Sequence, residues 1–266
     1  MQPPRHPLVN TEHIELWPAR ALRARGSADA RVLARARTVL RRKRDGAYLA
    51  AHSDAGLVPM VHGLQGEPGL ADATTALARL RAPLAAWRPA RLLPVHHLHA
   101  RLRALGLDAD AYAVRSGLLV VAEPAWLADA GRDRYRRPLW LDAGAARAWA
   151  RMRAHARLDG VVLEAVSGYR SHAYQLGIFA RKLARGLGLD DILTVNAAPG
   201  FSEHHSGRAL DIAEPGGPAA EAAFEDSAAF AWLQRNAGRH GFAMSYPRDN
   251  PHGIVHEPWH WCYHPR

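Results

Sequence analysis

Residues Arg208 to Ala213 alternate strictly, and the alternation puts an acid where a folded chain would not leave one alone. Arg208, Leu210 and Ile212 fall on one face and Ala209, Asp211 and Ala213 on the other, the pattern of a buried strand with Asp211 among small residues. An unpaired carboxylate there is prohibitively costly, so Asp211 needs a cation, and a bound metal ion is an economical one. Gly207 permits a turn that brings His204 back beside Asp211. Downstream, Trp259 to Tyr263 is aromatic and strand-like, which puts His260 and Cys262 on the face opposite Trp259, Trp261 and Tyr263. Strict alternation would separate Glu257 from His260. Pro258 biases Glu257 to an extended conformation and interrupts the ladder, so the carboxylate can swing to the His260 side. His204, Asp211 and His260 then form a candidate ligand set that suits zinc best, with one position open for water. Alone, Asp211 could cap a helix, His260 could be a satisfied core histidine and Glu257 a surface charge; together they point to a metal site. Cys262 on the His260 face is a conceivable fourth ligand, though a small buried filler is the simpler reading.

The rest of the chain reads as two parts, residues 1–130 and 131–266, divided within the arginine- and glycine-rich stretch from Asp129 to Pro138. Ser27 reads as the cap of a helix through Arg44, with Val32, Leu33, Ala36, Val39 and Leu40 as its apolar stripe, a basic face of Arg37, Arg41, Arg42, Lys43 and Arg44, and Gly46 as its stop. Helical patterns follow at Ala71 to Leu80 and His96 to Leu105, then apolar strands at Ala111 to Val114 and Leu118 to Ala122 joined near Arg115-Ser116-Gly117. His96, His97 and His99 read as exposed helix histidines. In the second part Asp142 caps a helix to Arg157, Val161 to Val166 is a buried strand, and Ser171 caps a helix to Arg185 that carries Gln175. A further helix runs from Pro218 to Arg239. The fold class is α+β, a small antiparallel sheet bearing the metal with flanking helices, preceded by an α/β accessory region.

Composition narrows the options. At 266 residues with 48% hydrophobic content the chain can bury a real core, and no run of 18 or more apolar residues marks a membrane helix. The formal charge of +10 would suit an acidic polymer, but only Lys43 and Lys182 are lysines among the 35 basic residues, a bias that looks compositional. Neither zinc-finger spacing nor an aromatic RNA-binding motif accompanies the charge, so no nucleic-acid partner is expected. One cysteine excludes an internal disulfide. The start, Met1-Gln2-Pro3-Pro4-Arg5-His6-Pro7, lacks the charged-then-apolar pattern of a secretion signal, which points to the cytoplasm. The chain stops three residues after Tyr263, leaving no room for an anchor after that stretch.

Read with Ser167-Gly168-Tyr169-Arg170-Ser171, Gln175 and Gly241-Phe242-Ala243-Met244-Ser245-Tyr246-Pro247, the two metal stretches resemble the VanY-type D-alanyl-D-alanine carboxypeptidases and their LD-carboxypeptidase relatives, zinc peptidases of bacterial cell walls. The resemblance runs from about Leu139 to Tyr263, and its four ordered motifs are far more specific together than any one alone. It implies a Hedgehog/DD-peptidase-like fold, zinc on His204, Asp211 and His260, and Glu257 as the catalytic carboxylate, taking a proton from the attacking water and handing it to the departing amine. Arg170 matches the family's motif arginine, suited to the substrate's terminal carboxylate or to the developing oxyanion. Ser202, Gln175, Tyr246 and Trp259 fall where the family places substrate contacts. The partners implied are peptidoglycan stem peptides, met in the cell envelope. His205 departs from the glutamine common at that position, and His256 adds another imidazole; both read as neighbours of the site rather than ligands. A wall endopeptidase and a non-catalytic wall-binding module remain alternatives, the second weakened by an intact Glu257.

Overall fold

The computed structural model describes residues 7–80 and 92–265, so most of the opening stretch read for a secretion signal lies outside the described residues. The chain divides into two compact units, one of Met1–Pro94 and Pro124–Asp129, the other of Val95–Glu123 and Ala130–Arg266. Residues 95–123, expected with the first part, therefore fold with the second.

The first unit is built on antiparallel strands β1 (Leu8–Asn10), β2 (Ile14–Pro18), β3 (Thr38–Arg42), β4 (Tyr48–Ser53), β5 (Gly56–Pro59) and the start of β6 (Trp126–Arg132), in the order β5-β4-β3-β2-β1-β6. Helices α1 (Ser27–Leu33) and α2 (Leu70–Arg79) accompany them; Ala73 and Leu77 of α2 share a core with Ile14, Leu16, Leu40 and Leu49. The helix expected from Ser27 to Arg44 ends at Leu33, and Gly26 rather than Ser27 occupies its cap position. Val39 and Leu40 enter a strand whose two faces are both covered: Leu40 packs with Leu16, and Val39 with Ala19 and Ala51. The expected basic face is split by the pleat. Arg41 pairs with Glu15 at 2.8 Å, and Arg42 takes Asp45 at 2.7 Å and also Glu67. Gly46, at φ +72°, turns β3 into β4 instead of stopping a helix.

The second unit holds α3 (Leu98–Arg103), α4 (Ala109–Ser116), β7 (Pro138–Leu141), α5 (Ala143–Leu158), β8 (Glu164–Ser167), α6 (His172–Ala184), α7 (Leu189–Thr194), β9 (Ala209–Ala213), α8 (Ala228–Asn236), β10 (Phe242–Met244) and β11 (His260–Tyr263). Its sheet is antiparallel in the order β10-β11-β9-β8. The Asp142 carboxylate caps α5 by accepting from Gly144 and Ala145, and Ser171 Oγ caps α6 by accepting from Tyr174. Residues 111–114 belong to a helix, not the expected strand. Asp108 caps α4, Gly117 closes it at φ +65°, and Val114 stands 86% exposed where a buried strand would have hidden it. Residues 118–122 run outside any regular strand. The single helix expected over 218–239 is interrupted as well: Ser227 accepts from Phe230 N and starts α8 afresh, with 3-10 turns at Ala222–Asp226 and Ala237–His240 on either side. One core joins Leu210, Ile212 and Trp261 of the sheet to Trp149 and Met152 of α5 and to Phe230 and Leu233 of α8. The same alternation turns Asp211 and His260 to the other side.

Candidate metal centre

Strand register brings the first two groups together. His260 lies directly opposite Asp211 across the β9–β11 ladder, and Ser167 of β8 opposes Asp211 from the other side. His204 sits on a 3-10 turn, Glu203–Ser206, closed by Gly207 at φ +70°, which returns the chain into β9. Asp211 Oδ1 is 3.3 Å from His204 Nε2 and 3.2 Å from His260 Nδ1, and the three candidate ligand atoms all lie within 4.8 Å of one another. All three residues are buried.

The hydrogen bonds around these rings decide which atoms face the shared space. His204 Nδ1 lies 2.7 Å from the Gly168 carbonyl, an acceptor only, so Nδ1 carries the proton and Nε2 a lone pair. That Nε2 is buried without a hydrogen-bond partner, facing a carboxylate oxygen. Burial, then the charge of Arg170, pushes His204 down to about 4, so it brings no second proton at neutral pH. His260 Nε2 donates to Glu203 Oε2 at 2.8 Å, leaving Nδ1 toward Asp211. Burial disfavours a charged His260, but the hydrogen bonds to Asp211 and Glu203 outweigh it and raise its pKa to about 10. Two ring nitrogens and one carboxylate oxygen thus converge on a point where only a proton or a metal ion satisfies them, and they fit a divalent ion. Gly168 makes part of this possible: a Cβ there would sit 2.7 Å from Leu139 Cδ1 and 3.1 Å from Trp140 O.

The other expected residues divide. Glu257 Oε2 lies 3.8 Å from His260 Nδ1, and burial lifts its carboxyl to about 7 against the pull of His260. Its carbonyl accepts from His260 N at 3.1 Å, so the Pro258 turn folds the carboxylate back toward the site. Arg170 Nη2 stands 3.7 Å from Asp211 Oδ2. The Tyr246 ring is 4.9 Å from that of His260, and burial raises its phenol pKa. Ser202 is buried at the head of the His204 turn. Gln175 points elsewhere: it is 1% exposed and donates to Ala197 O at 3.1 Å, with Oε1 unpaired. Trp259 is half-buried and packs against the α5–α8 core.

Neighbouring histidines turn away from the cluster. His205 Nδ1 bonds the Arg170 carbonyl at 2.7 Å, and its Nε2 accepts from Gly200 N at 3.0 Å. His256 Nε2 lies 3.2 Å from Glu225. Among the described residues the only buried group of three converging donors is His204, Asp211 and His260; Cys262 is not one of it. Sequence reasoning passed over Glu203, whose carboxylate, although burial opposes its charge, is drawn down to about 2 chiefly by the hydrogen bond from His260. An acid directly before a ligand histidine was the one available signal.

Residues 138–266 match the family model described as VanY: D-alanyl-D-alanine carboxypeptidase. The chain is 38% identical to YodJ of Bacillus subtilis over 112 residues, covering 41% of this chain and 40% of that protein. It is 34% identical to a D-alanyl-D-alanine carboxypeptidase of Enterococcus faecalis over 118 residues, covering 41% and 42%. A solved structure of the LdcB LD-carboxypeptidase shares 32% identity, with 53% of this chain and 69% of that one covered and a TM-score of 0.49. Residues 138–266 belong to the VanY family. The VanY region contains every element of the β10-β11-β9-β8 sheet and all four residues of the cluster around Glu257. The chain spans about two fifths of the length of the curated relatives it matches.

Proposed function

We propose that this chain is a zinc-dependent carboxypeptidase that removes a C-terminal D-alanine from peptidoglycan stem peptides. The observation that carries the reading is the convergence of His204 Nε2, His260 Nδ1 and Asp211 Oδ1, with the Glu257 carboxylate 3.8 Å from His260. A divalent ion held by those three atoms would polarise the scissile carbonyl and acidify water, and two nitrogens with one oxygen suit zinc best. Glu257, whose pKa burial has raised, accepts the proton of the attacking water and delivers it to the departing amine. The Gly168 carbonyl and Glu203 hold the two imidazoles so that His204 Nε2 and His260 Nδ1 face inward, and His260 gives up its Nδ1 proton when an ion binds. Arg170, beside Asp211, takes the terminal carboxylate of the peptide, which selects the last residue for release. Tyr246, beside His260, and Ser202, at the head of the turn that carries His204, are assigned to contact with the stem. The matching family's description as D-alanyl-D-alanine carboxypeptidase supports a D-alanine leaving group.

Mass spectrometry of defined muropeptides after incubation tests this reading. Loss of a single alanine is expected, from stems ending in D-Ala-D-Ala or from tetrapeptides. A split stem would make the chain an endopeptidase, and no change with zinc present would leave a binding module.

A further inference from the structure

Residues 95–123 precede the VanY match yet pack inside the same unit. Leu98, Leu102 and Tyr112 are buried with Ala198 and Phe201, in the loop that leads to His204. Gly200 in that loop, at φ +89°, has no room for a side chain: a Cβ would lie 2.2 Å from Leu98 Cδ2. Val121 N donates to Gly200 O at 2.7 Å, and Val121 O meets His172 Nε2 at 2.7 Å. The segment ends on Glu123, a carboxylate 5% exposed. One of its oxygens accepts the Tyr169 hydroxyl at 2.5 Å, and the other accepts the His172 backbone N–H at 2.8 Å.

Tyr169 and His172 bracket the Arg170-Ser171 turn. From behind, the Arg170 carbonyl takes His205 Nδ1 at 2.7 Å, and the His205 ring packs edge-on against His172 with centroids 4.4 Å apart. Hydrogen bonds to a buried carboxylate are short and strong, so Glu123 ties both ends of this turn to the α4 side of the unit. We propose that Glu123 is a positioning residue for Arg170, holding the Tyr169–His172 turn so that the guanidinium meets the peptide's terminal carboxylate. The proposal rests on the role given to Arg170 above. It assigns a task in peptide selection to a stretch of chain outside the family-matched region.

The test compares a peptide ending in D-Ala-D-Ala with the same peptide as its C-terminal amide, measuring kcat and KM for wild type, Glu123→Ala and Tyr169→Phe. Wild type is expected to favour the free carboxylate. Glu123→Ala should raise KM for the acid peptide about tenfold with kcat little changed, leave KM for the amide alone, and keep the zinc affinity of the metal-free protein. Tyr169→Phe removes one of the two bonds while keeping the ring, so it should move the same ratio in the same direction by about threefold; it decides the matter if Glu123→Ala fails to fold. An acid-to-amide preference unchanged in the folded variants would overturn the proposal alone, as would equal losses on both substrates together with weakened zinc binding. A wild type indifferent to the terminal carboxylate would overturn the role of Arg170, and the proposal with it.

Discussion

Glu203 shows how much of this site is set by groups outside the three candidate ligands. Its carboxylate takes the Nε2 proton of His260 at 2.8 Å and thereby fixes which nitrogen faces Asp211. Replacing it with alanine should weaken zinc binding by about tenfold to a hundredfold, read by competition with a chromophoric chelator. Glu257 is separable from metal binding. Glu257→Gln should keep full zinc content while kcat falls by about a hundredfold to ten-thousandfold. The same carboxyl sets the acid side of the pH profile. Its folded pKa is raised to about 7 without metal, and a bound cation draws it lower, so kcat/KM should fall as pH drops through or below 7 and the base is protonated. Alternation placed Asp211 and His260 at the positions that face each other across the sheet, and the Pro258 break let Glu257 turn to the His260 side, but that the two stretches meet was implied by the family resemblance and not by spacing. Glu203 was not legible in the sequence, since only the sense of the 3-10 turn tells which way the residue before His204 points.

Among the elements, the four-stranded sheet of the VanY region does two tasks with one alternation: Leu210, Ile212 and Trp261 enter the core while Asp211 and His260 face the site. Gly168, just past the end of β8, has no room for a side chain. Gly168→Ala would press a methyl group on Leu139 and the Trp140 carbonyl, and should cost about 1–3 kcal/mol in chemical denaturation, with zinc affinity falling because the carbonyl that orients His204 must shift. Unchanged zinc affinity in the folded variant would show that Gly168 O does not orient the ring. Elements announced by caps were readable: Asp142 and Ser171 start α5 and α6 where expected. Apolar patterning was less even: Ala71 to Leu80 and His96 to Leu105 do hold α2 and α3, whereas the helix read from Ser27 to Arg44 stops at Leu33. Val32 to Leu40 satisfies a helical stripe, yet Val39 and Leu40 are buried on opposite faces of a strand. Over so short a run, periods of 3.6 and 2 cannot be told apart without knowing that both faces are covered.

At the scale of the whole molecule, composition drew the boundary near residue 130, but contacts return residues 95–123 to the second unit, where Leu98 and Tyr112 complete a core with Phe179 and Phe201. Apolar residues spread over two short helices gave no sign of which core they would join. The centre itself makes metal uptake a proton exchange. His204 is already neutral at neutral pH and Asp211 is held ionised, whereas His260 keeps its second proton to about 10 in the absence of an ion. Between about pH 7 and 9 zinc binding should therefore release one proton and strengthen about tenfold per pH unit. The most direct test is calorimetric titration of the metal-free protein with zinc in buffers of different ionisation heat, repeated on His260→Ala. The account requires one ion per chain, one proton released and loss of tight binding in the variant; wild-type protein that takes up no stoichiometric zinc, or a variant that binds it as tightly, would contradict the account.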